Sequence, residues 1–84
     1  MLGVLDDLTI KGPVKRQTLL WEALKGGRQV SCVAIQLPQG IDVQLLVGGA
    51  PERTALLFDR PLARREALLW REELAAEGWL IREV

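Results

Sequence analysis

Histidine and tyrosine are both missing from this 84-residue chain, and cysteine occurs once. Without histidine the chain lacks the commonest general base and the commonest metal ligand. A single thiol, Cys32, rules out an internal disulfide and a multi-cysteine metal site. An excess of either charge is lacking too, because Lys+Arg and Asp+Glu number 11 each. A dedicated nucleic-acid binder carries a basic surplus, and a neutral chain lacks the repulsion that keeps monomers apart. Long apolar runs are absent as well. Met1-Leu2-Gly3-Val4-Leu5 is ended by Asp6-Asp7, too soon for a signal core or a membrane span. The expectation is a non-enzymatic protein of the reducing cytoplasm, with no cofactor, no metal and no membrane segment.

What is present is ample apolar material, 49% of the residues, in a length that suits one domain with one core. Residues 1–16 read as an N-terminal arm, within which Leu8-Thr9-Ile10-Lys11 alternates like a short strand. Residues 17–58 read as antiparallel strands. Thr18 to Lys25 fits either a helix or a strand by spacing alone. Strand is preferred because Gly26-Gly27 suits a tight hairpin turn and the β-branched run Arg28 to Leu37 supplies a pairing partner. Val33, Ile35 and Leu37 share one face of that run. Pro38-Gln39-Gly40 reads as a three-residue turn. Ile41, Val43, Leu45 and Val47 alternate towards a core, with Asp42 and Gln44 facing away. Gly48-Gly49-Ala50-Pro51-Glu52 closes a second hairpin, and Arg53 to Phe58 returns, Phe58 into the core.

The helix is announced most clearly. Asp59 is a good N-cap, Pro61 falls in the first turn, and Leu62 to Glu77 runs without a breaker before Gly78 stops it. Residues 59–78 are therefore expected to be helical, and 79–84 to form a short tail that joins the sheet edge or crosses the sheet. The expected fold is α+β, about four antiparallel strands and one C-terminal helix packed on one face (ββββα).

At 100° per residue, Ala63, Ala67, Trp70 and Leu74 form the stripe that meets the sheet. Glu66, Glu73 and Glu77 border it on one side, Arg64 and Arg71 on the other. Further round lie Leu62, Leu69 and Ala76, seven positions apart, and beyond them Leu68 and Ala75. A helix on one side of one sheet has no internal use for these leucines, and such a patch marks an interface. The expected interface residues are Leu62, Leu68, Leu69 and Ala76. The sheet's second face, expected to show Trp21, Val30, Cys32, Ala34 and Leu46 among Ser31, Asp42 and Gln44, also looks too apolar for solvent. Self-association as a homodimer, or a partner protein, would cover these surfaces.

Signals for chemistry are weak. Cys32 sits among valines with no histidine to activate it and reads as a small hydrophobe. The two Gly-Gly pairs lack the helix and Lys-Ser/Thr of a phosphate loop and read as hairpin turns. Glu72 and Glu73 point about 100° apart on a helix and do not share a proton. One alternative stands beside the interface reading. Lys11, Lys15, Arg16, Lys25 and Arg28 face a single acid, Glu22, between positions 11 and 28. With Trp21 to stack on bases, the set Lys15, Arg16, Trp21, Lys25 and Arg28 would suit single-stranded nucleic acid.

The stretch from Trp21 to Trp79 resembles a group of short uncharacterised bacterial proteins. The shared cadence is a Trp-bearing strand, Gly26-Gly27-Arg28, two more strands, Gly48-Gly49, Phe58-Asp59, and a helix reading Glu66-Ala67 to Trp70-Arg71-Glu72 that ends at Gly78-Trp79. It is a cadence of packing and turns and implies no activity. The order of four strands and a helix is also similar to that of the Whirly single-strand binders, at the level of architecture alone.

Overall fold

In the computed structural model, which describes residues 16–83, the chain zigzags through four strands before its helix. These are β1 (Arg16–Lys25), β2 (Arg28–Leu37), β3 (Gly40–Val47) and β4 (Ala50–Leu57). Helix α1 (Arg60–Ala76) follows, and the tail returns as β5 (Leu80–Glu83). The sheet is antiparallel with order β4-β3-β2-β1-β5. It thus has five strands, one more than expected, because the apolar tail pairs with β1, Ile81 opposite Ala23. Of the expected arm, residues 1–16, the first fifteen lie outside the described residues, and Arg16 already belongs to β1.

Turn chemistry sets the meander. Gly26-Gly27 and Gly48-Gly49 each hold two successive positive φ angles, 56° and 79° in the first pair, 61° and 84° in the second. That is the backbone twist a two-residue antiparallel hairpin needs. The second hairpin is tighter than expected, so β4 begins at Ala50. The Pro38 turn is tighter as well, with Gly40 already paired to Leu37.

Register then decides what is buried. Trp21 stands opposite Cys32, and Cys32 opposite Leu45; Ala23, Val30 and Val47 make the next row. Trp21, Ala23, Val30, Cys32, Ile41, Val43 and Leu45 are buried on the face that α1 covers, with Ala63, Ala67 and Trp70 of the helix. The expectation placed Trp21, Val30, Cys32 and Ala34 on the opposite face, and this is corrected. Period-two alternation fixes which residues of a strand share a face but not which face meets the helix. Strand β1 also carries an irregularity between Leu19 and Trp21. It brings Leu20 and Trp21 to the same side, which a strict alternation does not foresee.

The helix starts and stops as the sequence announces. The Asp59 side chain accepts a hydrogen bond from the Leu62 N–H at 3.0 Å, and Trp79 N–H closes the far end on the Leu74 carbonyl at 3.0 Å. The stripe Ala63, Ala67 and Trp70 is buried. Two alanines let the backbone of α1 come close, and Trp70 removes on the order of 200 Å² from water. That is worth about 5 kcal/mol before conformational entropy is counted.

Candidate functional site

The two ends of the sheet are built differently. At one end β5 is four residues long, and its charges are engaged: Arg82 bonds Glu22 at 2.8 Å, and Glu83 bonds Arg71. A short, charged edge does not invite another strand. At the other end β4 is eight residues long and, among the described residues, pairs only with β3. Pro51 and Arg53 guard its first half. Its second half, Thr54-Ala55-Leu56-Leu57, carries no charge and runs on into Phe58.

Phe58 is 83% exposed, the largest departure from the expected core. It sits in the bend between β4 and the Asp59 cap, so the chain turns there instead of continuing over the sheet. Leu56 is half exposed beside it. The position of the bend, and not the apolar character of the residue, sets Phe58 outside the core.

The expected interface residues of the helix are all at the surface. Leu62, Leu68 and Leu69 are 39%, 43% and 47% exposed, and Ala76 is exposed as well. They do not lie together. Glu73 holds Arg53 of β4 at 2.8 Å, whereas Arg71 holds Glu83 of β5. The row Leu62, Leu69 and Ala76 follows the glutamates around the helix and therefore borders the β4 edge. Leu68 is on the opposite side, with Arg60 and Arg64, on the lip of a groove of about 730 Å³ floored by Leu20, Ala34 and Ile41. No carboxylate among the described residues bonds Arg60 or Arg64. The groove has a cationic lip and an apolar floor, and its one acid, Glu83, is tied to Arg71.

Arg53 is the hinge of the β4 side. Besides Glu73 it lies over the Trp70 ring, 4.8 Å from its centre, and Trp70 Nε1 donates to Glu66 at 3.0 Å. The hydrogen bond to Glu73 raises the Arg53 pKa above its ordinary value, and the same bond holds the Glu73 carboxyl below its own. Cys32 is fully buried, and burial pushes its thiol up to about 12.

The residues of the nucleic-acid alternative are dispersed. Trp21 is 3% exposed beneath α1, its Nε1 donating to the Ala67 carbonyl, so it offers no ring to a base. Lys25 caps the helix C-terminus on the Glu77 carbonyl at 2.6 Å, and with Arg28 it flanks the Trp79 ring. Arg16 starts β1 opposite Gln36, and Lys15 lies outside the described residues.

The open face of the sheet carries Leu19, Val33, Ile35, Leu46 and Leu56 among Ser31, Asp42, Gln44 and Thr54. Val33 is buried there between Leu19 and Gln44 of the adjacent strands. Among the described residues no three His, Cys, Asp or Glu side chains are placed to hold a metal ion, and no helix is long and apolar enough to cross a membrane. Comparison with protein-family models, curated proteins and solved structures finds no match.

Proposed function

We propose that this protein is a non-enzymatic interaction module that works by binding protein, foremost a second copy of itself. The observation that carries the reading is the exposure of large apolar side chains on this side of the molecule, Leu56 and Phe58 at the β4 end and Leu62 and Leu69 on the helix. Solvent does not favour so many large exposed apolar side chains in a chain this small, and a partner surface does. The formal charge of zero removes the long-range repulsion that would oppose self-association. The nucleic-acid alternative is the weaker one, since Trp21 is buried and Lys25 and Arg28 already serve the Trp79 end of the fold.

The test is light scattering coupled to size exclusion over a hundredfold concentration range, on the native chain and on Leu69→Glu. Concentration-dependent dimerisation that Leu69→Glu abolishes, with circular dichroism unchanged, is the expected result. Unchanged assembly of a natively folded Leu69→Glu would remove the helix flank from the interface.

A further inference from the structure

We infer that the second copy binds through the β4 edge, making one continuous ten-stranded sheet with a two-fold axis beside Leu69. The inference rests on the self-association reading and adds its geometry. Three independent features of the described residues converge on it.

The first is the edge itself. Strand β4 exposes the unpaired side of its backbone over an uncharged stretch, Thr54 to Leu57, while β5 is short and charged. Of the two outermost strands among the described residues, β4 is the one suited to strand addition. Two identical strands that meet along such an edge run antiparallel, and the axis relating them stands perpendicular to the sheet. Both helices then lie on the same side of the joined sheet.

The second is the helix flank. In that arrangement the sides of the two helices nearest β4 face each other and run in opposite directions. With Leu69 beside the axis, it meets the partner's Leu69, and Leu62 meets the partner's Ala76. The row with seven-residue spacing is thus self-complementary, large against small at its ends. Leu69 also stands at the right height. The helix begins just past Phe58, and Glu73 is bonded to Arg53, so Leu69 lies alongside the middle of the open stretch.

The third is charge. The helix carries Arg60, Arg64 and Arg65 near its N-terminus and Glu72, Glu73 and Glu77 near its C-terminus. That order opposes the helix dipole, which favours acids at the start and bases at the end. Within one chain it is unfavourable. Between two antiparallel helices it places Arg65 against the partner's Glu72, and the reverse, which gives an isologous contact its matching charges. Strand pairing alone, over about 15–20 Å of edge, falls short of the buried area of a stable interface, and the helix flanks supply the remainder.

The experiment is amide hydrogen exchange of the native chain, read by NMR above and below the dimerisation concentration, with light scattering on the same samples. Alternate amides between Arg53 and Leu57 are expected to exchange more than tenfold slower in the dimer than on dilution. Leu56→Lys and, separately, Thr54→Lys place charge on exposed edge positions, and each is expected to give a folded monomer by circular dichroism. A dimer whose β4 amides exchange equally fast at both concentrations overturns the edge geometry and leaves self-association standing. A monomer at every concentration overturns both.

Discussion

The indole Nε1 of Trp21, in the second strand from the β5 edge, donates to the main-chain carbonyl of Ala67 in the middle of α1 at 3.1 Å. This bond spans 46 positions of sequence and is the buried polar link between helix and sheet. It gives Trp21 a structural role in place of a surface one.

Trp21→Phe keeps the ring and loses the donor, with a small loss of volume. The expected cost is about 2–3 kcal/mol in urea unfolding, a hydrogen bond plus two to three methylene equivalents at about 0.8 kcal/mol each. Trp21→Ala is expected to cost about 3–5 kcal/mol. A Trp21→Ala protein as stable as the native one would show that the ring is free for a ligand.

Gly40 offers a second measurement, on the β3–β4 contact. A Cβ there would lie 2.4 Å from the Leu57 carbonyl oxygen, a backbone atom that moves only if the strands part. Gly40→Ala is expected to lower stability by about 1–3 kcal/mol. At Gly27 a Cβ meets nothing within 4 Å, so Gly27→Ala bears only the strain of its positive φ, about 1 kcal/mol. Denaturant midpoints for both variants check the ranking; equal losses would mean that the crowding at Leu57 is relieved at no cost.

Cys32 predicts a pH dependence on the alkaline side. Its thiol is pushed from 9.0 to about 12 in the folded chain. Below the lower value both states keep the proton, and the thiol adds no slope. Above it the unfolded chain ionises while the folded one does not, so the unfolded state is favoured as pH rises. Stability should fall by about 1.4 kcal/mol per pH unit from this group until the folded thiol itself ionises. The check is urea unfolding from pH 8 to 11 on the native chain and Cys32→Ala. The variant should lose that part of the slope, and identical slopes would show the thiol to be open to solvent.

Much of the architecture is legible in the chain. Asp59, Pro61 and Gly78 bound the helix through local chemistry, and the two Gly-Gly pairs close hairpins because each glycine reaches positive φ without strain. The helix stripe follows from angular spacing, and the opposite charges on its two borders do find opposite edges of the sheet, Glu73 on β4 and Arg71 on β5. Phe58 lies outside the core and Trp21 within it, each against expectation, because long-range geometry decides both. Hydropathy says that an aromatic prefers burial, but the direction in which the chain leaves a strand, or the face on which a helix lands, is not encoded by the residue itself.

The sequence by itself determined the turn positions, the helix limits and the alternation of the strands away from the irregularity at Leu20, since these depend on neighbours a few residues apart. Only the tertiary structure decided which sheet face α1 covers, that the tail pairs with β1, and that Leu68 is parted from Leu62 and Leu69. It also left β4 as an outer strand on the side of α1 where Glu73 meets Arg53. Each of these depends on contacts between residues far apart in the chain, where small differences in packing between two possible faces select one, and no local preference reports which.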